Sequence, residues 1–167
     1  LTQIMPELQL PHFDEQALQA VLAEACRGRR SFDELRKVTW LPFFQKVVGF
    51  DKLREIDTWA PASLTVPSGN SLRLHYSDDK QPVLAVRIQA LFGWKETPRL
   101  ARVRVAVLLH LLGPNYRAQQ VTDDLASFWK NTYPTVKKEL RRRYPKHAWP
   151  DDPLTAPPTR SGIQRRI

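Results

Sequence analysis

Apolar residues recur at three- and four-residue intervals over residues 14–27, where Leu18, Val21, Leu22 and Ala25 fall on one face, with Asp14 placed to cap the start and Gly28 the end. This pattern predicts a helix. Ser31-Phe32-Asp33-Glu34 has capping-box spacing ahead of Leu35 and Val38. Pro42 can open a short helix running to Val48, and Asp51 can cap another that Pro61 stops after Trp59. The first 60 residues therefore read as a cluster of short helices.

At Leu64 the period changes to two. Leu64, Val66, Leu72, Leu74 and Tyr76 alternate with polar residues around Pro67-Ser68-Gly69-Asn70, which predicts a hairpin turning at Gly69-Asn70. After Pro82, the spacing of Leu84, Ile88, Leu91 and Phe92 predicts a helix ended by Gly93, packed on the sheet. Val103, Val105, Val107, Leu109 and Leu111 alternate as a strand. Ala106, Leu108 and Leu112 make its other face apolar as well, so the strand should be central and covered on both sides. Gly113-Pro114-Asn115 turns the chain. Thr122 can cap a helix carrying Asp123 and Asp124 in its first turn, with Leu125, Phe128 and Trp129 as its apolar stripe, and Pro134 opens a last helix. Five prolines between Tyr144 and residue 158 keep the tail extended.

The expected fold is α+β: an N-terminal cluster of short helices, a small, mostly antiparallel sheet with a packed helix, two C-terminal helices and an extended Pro-rich tail. The expected division is a helical segment over 1–60, an α+β domain over 61–150 and an extended or disordered tail over 151–167.

Charge changes this picture by giving the two parts different roles. Residues 1–60 carry 8 Lys/Arg against 9 Asp/Glu, net −1, and residues 61–167 carry 18 against 8, net +10, which together make the chain's +9. Such asymmetry points to a polyanionic partner, nucleic acid or an anionic surface, the plainer alternative being a basic domain that is merely soluble. Lone Cys26, among Leu22, Ala23 and Ala25, reads as a small core residue in a reducing compartment. No run approaches the ~20 apolar residues of a membrane helix, and the N-terminus lacks the pattern of a secretory signal, so a cytoplasmic location is expected. The chain begins at leucine and is expected to be a piece of a longer polypeptide.

The positive charge concentrates on the last helix. At 100° per residue, Val136, Leu140 and Tyr144 share one stripe while Lys137, Lys138, Arg141 and Arg142 fan across the opposite side, flanked by Lys130 and Lys146. Arg143, beside the apolar stripe and four residues after Glu139, is expected to form an i,i+4 ion pair. The six cations are the candidate nucleic-acid contacts; the alternative is a solvated helix face. Phe128 and Trp129 have core spacing, and Trp149 is expected to pin the tail to the body.

Catalytic signals are missing. None of the six glycines stands in a phosphate-cradling spacing before Lys and Ser/Thr, so the chain encodes no ATP site. His147 lies near Asp151 and Asp152 without a nucleophile or a Cys/His metal spacing, His110 in its apolar strand reads as a core histidine, and Ser68 is a turn residue outside any Gly-x-Ser-x-Gly. No catalytic residue, metal or cofactor is assigned to these residues.

Several stretches in order carry a resemblance: Leu64-Thr65-Val66-Pro67-Ser68-Gly69, residues 82–93 (PVLAVRIQALFG), Thr97-Pro98-Arg99-Leu100, Leu109-His110-Leu111-Leu112, Phe128-Trp129, Lys138-Glu139-Leu140-Arg141 and Arg143-Tyr144-Pro145-Lys146-His147 before Trp149-Pro150. Over about residues 64–160 the chain resembles the C-terminal region of the HrpB family of bacterial DEAH-box ATP-dependent RNA helicases. The resemblance implies a full-length ATP hydrolase whose two RecA-like motor domains, with ATP and Mg, lie upstream. This chain is then an accessory domain with no catalytic motif of its own. It departs from the family pattern at Ala101-Arg102-Val103, where a glycine is expected, and at residues 113–118. Two functions follow: nonspecific contact with RNA phosphates through the six cations, or a scaffold whose Trp- and Pro-rich tail docks on the helicase core or another protein.

Overall fold

Capping chemistry fixes the first helices of the computed structural model, which describes residues 1–78 and 80–160. Helix α1 (Glu15–Cys26) starts where the Asp14 carboxylate accepts the Ala17 N–H at 2.9 Å. Helix α2 (Phe32–Arg36) starts where Ser31 Oγ accepts the Glu34 N–H; the Glu34 carboxylate accepts from the Arg30 N–H, one residue earlier than a capping box requires. Pro42 occupies the first turn of α3 (Leu41–Val48). Helix α4 (Phe50–Trp59) begins directly after Gly49, so Asp51 stands inside its first turn and serves the helix dipole instead of capping. Phe13 meets Phe44 edge-on at 5.4 Å, and Lys46 of α3 bonds Glu24 of α1 at 2.9 Å. The expected apolar face of α1 is split: Val21 and Ala25 are buried, whereas Leu18 and Leu22 are exposed.

The chain divides into two compact units, Leu1–Ala60 and the remainder from Pro61. The second unit holds a five-stranded sheet in the order β1 (Ser63–Thr65), β2 (Ser71–His75), β3 (Val83–Arg87), β6 (Leu108–Leu112), β7 (Ala118–Thr122). Strands β1 and β2 form the expected hairpin, with Leu64 opposite Leu72 and Gly69 at φ +79° in the turn, a conformation that favours glycine. Strand β3 pairs antiparallel with β2 and parallel with β6; β7 closes the sheet antiparallel to β6. Within β6, Leu109 and Leu111 are fully buried, and the opposite face at Leu108, His110 and Leu112 is half-buried. The first half of the single strand expected from Val103 to Leu111 is not part of β6: Val103 sits in a turn, and Val105–Ala106 (β5) pairs instead with Arg99–Leu100 (β4) in a separate two-stranded ladder.

The helix expected over residues 84–92 is instead strand β3 followed by a 3-10 turn, Ile88–Leu91. Leu84, Ile88, Leu91 and Phe92 satisfy a helical repeat, but Leu84, Val86 and Ile88 satisfy a period of two equally well. A short apolar run cannot separate the two. Partners decide it: β6 pairs with all of β3, Val83 opposite Leu108 through Arg87 opposite Leu112, and the 3-10 residues Ile88, Gln89, Ala90 and Leu91 are buried all round.

The connection that returns the chain to the parallel partner carries the 3-10 turn and the β4–β5 ladder, a length that parallel pairing needs. Two further differences lie nearby. Strand β7 follows no apolar alternation in Ala118-Gln119-Gln120-Val121-Thr122; it is an edge strand, defined by its ladder. The helical cap lies at Asp124, whose carboxylate accepts from the Ser127 N–H at 2.8 Å, while Thr122 Oγ1 accepts from the Asp124 N–H.

From Leu125 the chain stays helical without a loop: α5 (Leu125–Ser127), a π segment (Phe128–Thr132) and α6 (Tyr133–Arg143). Pro134 lacks an N–H and crowds the carbonyl four residues before it, and the wider π turn, in which the Tyr133 N–H reaches Phe128 O, relieves that conflict. Phe92, Phe128, Trp129 and Tyr133 then pack ring against ring at centroid distances of 5.0 to 6.3 Å.

The tail lies on this core. Trp149 is 8% exposed and donates its indole N–H to Tyr144 O at 2.9 Å; Pro150 O accepts the Tyr133 hydroxyl, Pro153 O accepts the Gly93 N–H, and Gln89 O accepts the Thr159 N–H. The extended tail expected over 151–167 is thus packed through residue 160; residues 161–167 lie outside the described residues.

Two stability predictions follow from this packing. Trp149→Ala removes a buried indole and its hydrogen bond, and urea denaturation should show a loss of about 3–5 kcal/mol, the usual cost of truncating a buried aromatic to alanine. Ala101, Arg102 and Val103 hold φ of 50°, 55° and 68° in succession, a conformation that favours glycine, and Val103 is exposed. Val103→Gly should therefore stabilise the second unit by about 0.5–1 kcal/mol in the same assay, the left-handed penalty of a β-branched residue less the entropy of an added glycine.

Candidate nucleic-acid interface

The inward stripe of α6 determines which side chains face water. Leu140 is 3% exposed and Tyr133 is buried, with Val136 and Tyr144 packed against the same core. Positions 133, 136, 140 and 144 follow one another at three- and four-residue steps, so 138 and 142 are carried to the far side and 141 to the flank, whereas 137, expected opposite the stripe, lies beside it and is half-buried. Lys137, Lys138, Arg141 and Arg142, with Pro145 beyond the helix end, line an open depression of about 550 Å³.

The structure therefore brings four of the six candidate cations to one concavity. Lys130 is exposed on the π segment and Lys146 is exposed past the end of α6, and neither lines the depression. Arg141, Arg142 and Arg143 occupy the last turn, where the helix dipole favours cations. The ion pair expected between Glu139 and Arg143 is not among those formed by the described residues; both side chains are exposed, and Arg143 has no structural duty of that kind.

Lys137 departs from the solvated picture. Only 16% of its side chain is exposed, and its ammonium bonds the carboxylate of Asp151, a residue of the tail whose side chain is fully exposed. That bond, the Lys137 charge and the more distant Arg141 guanidinium hold the Asp151 carboxyl below the usual carboxylate range. Burial, with the Asp151 charge behind it, pushes the Tyr133 phenol upward, so it remains a neutral donor to Pro150 O. Lys138 and Arg142 are exposed and have no ion-pair or hydrogen-bond partner among the described residues.

Asp151 is the site residue that local spacing does not reveal. It lies 14 residues beyond Lys137, and only the turn of the chain after Tyr144 brings the two together. His147 pairs with no aspartate among the described residues: its ring packs edge-on against Tyr144 at 5.7 Å, and burial together with the Arg87 charge lowers its pKa. Phe128 and Trp129 are buried, as their spacing predicts, and cannot stack on bases. Trp149 is likewise inside the unit, so the tail offers no free indole to a partner. No helix among the described residues is long and apolar enough to cross a membrane.

An open row of cations without acids of comparable number can attract an extended polyanion; it offers no nucleophile, metal cage or closed pocket for chemistry. Residues 21–153 match the family described as ATP-dependent helicase C-terminal. The chain is 37% identical to the ATP-dependent RNA helicase HrpB of Escherichia coli K12 over 166 residues, covering 93% of this chain and 20% of that protein. It superposes on the crystal structure of the E. coli DExH-box NTPase HrpB with a TM-score of 0.89 over 95% of this chain and 20% of that one, at 37% identity. A second crystal structure, the E. coli DEAH/RHA helicase HrpB, gives a TM-score of 0.73 over 89% of this chain and 19% of that one, at 34% identity. The chain spans about a fifth of the length of the relatives it matches. With its mixed helices, its mostly antiparallel sheet and the match over residues 21–153, the chain belongs to the C-terminal family of HrpB ATP-dependent helicases.

Proposed function

We propose that this chain is the accessory C-terminal part of a cytoplasmic ATP-dependent RNA helicase and holds single-stranded RNA by its phosphates, without reading bases. The motor that binds ATP and Mg and hydrolyses ATP belongs, on this reading, to other parts of the same protein, which are this chain's neighbours in the intact molecule. The observation that carries the reading is the depression lined by Lys137, Lys138, Arg141 and Arg142 on a fixed helix face. Cations held in place neutralise phosphates and release condensed counterions, an effect that requires no sequence complementarity. The net +10 of residues 61–167 adds long-range steering toward the same partner.

The scaffold reading receives less support from the same structure. Its anchor, Trp149, is consumed by the unit's own core, and the prolines around it pack on the same body.

Fluorescence-anisotropy titration of the protein with a single-stranded RNA oligomer, repeated from low to moderate salt, tests the proposal. Four phosphate contacts give a log–log salt slope of about −3, and six, with Lys130 and Lys146 engaged, about −4, from ~0.7 per contact on single strands. The double variant Lys138→Glu/Arg142→Glu should weaken binding by about tenfold or more and flatten the slope by about 1.4. Unchanged affinity and slope in that variant would remove the RNA assignment.

A further inference from the structure

The cation row and the tail are usually separate subjects, a binding face and a chain end, but in this fold one reaches into the other. Of the four cations lining the depression, Lys137 alone is bonded to an acid among the described residues, and the acid comes from the tail. The backbone that delivers Asp151 is fixed on both sides. Before it, Trp149 is in the core and Pro150 O holds the Tyr133 hydroxyl at 3.1 Å. After it, the Asp152 carboxylate accepts from the Leu154 N–H and the Thr155 hydroxyl, both at 2.9 Å, and buried Pro153 receives the Gly93 N–H. The Asp151 side chain, by contrast, is wholly exposed and has no other bond among the described residues, so it is free to turn away while its backbone stays in place.

We infer that Asp151 is a built-in competitor for the RNA phosphate: its carboxylate occupies Lys137 in the free protein, and an incoming phosphate takes Lys137 only by displacing it. The inference rests on the RNA reading above. A carboxylate and a phosphate offer the same ammonium the same kind of acceptor oxygen, so the exchange replaces one charge-assisted hydrogen bond by another. Its effect is to reduce affinity and to discriminate by charge density. A lone small anion gains little from exchanging with an acid already in place, whereas a strand that also reaches Lys138, Arg141 and Arg142 gains the other contacts at once. The protein keeps one of the four lining cations neutralised until a multivalent ligand arrives, which favours rapid release, the property a moving helicase requires of an accessory contact.

Anisotropy titrations of the protein and four variants with the same RNA oligomer decide the point. Asp151→Asn, close in size and without charge, should tighten binding by roughly three- to fivefold, the upper worth of an exposed ion pair. It should also steepen the log–log salt slope by about 0.7, the weight of one phosphate charge that the displaced carboxylate no longer offsets. Glu139→Gln, an exposed acid on the same helix with no bond to the row, controls for general loss of negative charge and should give a clearly smaller gain with no change in slope. Lys137→Met should cancel the excess: Lys137→Met/Asp151→Asn should bind no more tightly than Lys137→Met beyond the Glu139→Gln effect. RNA binding that is equal in Asp151→Asn and Glu139→Gln, or an Asp151→Asn gain that persists without Lys137, overturns the competitor role and leaves the RNA reading standing. Absence of RNA binding in the protein and in Asp151→Asn alike removes the RNA reading and this inference with it.

Discussion

The packing of Tyr133 among Phe92, Phe128 and Trp129 is the constraint on which the second unit depends. The ring cluster joins the end of the 3-10 turn after β3 to the start of α6, and the Tyr133 hydroxyl reaches out of it to hold Pro150 O. One residue thus ties sheet, helix and tail together. Its burial sets the rotation of α6 about its own axis, and with that rotation the side of the helix on which every lysine and arginine falls.

Pro134 makes that rotation possible as well as necessary. A regular α-helix through residues 125–143 would bring the proline ring against a carbonyl one turn back, and at ~100° per residue it would leave Phe128 about 120° away from Leu140. The π segment adds the wider turn that lets both sets of apolar side chains face the same core. The price is one irregular turn, and the return is a continuous helical run with no exposed loop between the aromatic anchor and the cation row.

Concentrating like charges on two turns of helix is unfavourable in itself, and the structure moderates it in two ways. The last three arginines sit at the helix C-terminus, where unpaired carbonyls attract them, and Asp151 neutralises Lys137, the least exposed member of the row. Lys138 and Arg142 are left fully solvated, where water screens their repulsion at little cost. The resulting row is stable in the free protein and still cationic enough to meet an anion.

Much of the fold could be read from the chain. Asp14, Ser31 and Pro42 carry their helix starts in their own side chains, Gly69 marks the hairpin turn, and the stripe of Val136, Leu140 and Tyr144 defines the outward face of α6, because each of these signals acts within a turn or two of the backbone. Net charge and its placement toward the second unit were equally local matters of composition. Residues 84–92 were decided elsewhere: their apolar spacing suits a helix or a strand, and the choice fell to β6, more than twenty residues away. The same holds for strand β7, whose polar sequence becomes a strand only through its ladder, and for the tail, whose prolines specify extension but not the core on which it lies. The pairing of Asp151 with Lys137 belongs to this second class. Sequence determined which face of the last helix would be basic, through a short-range period; tertiary packing alone decided that an acid from the tail would stand on it, because contacts between distant segments depend on where the chain returns and leave no local repeat to read.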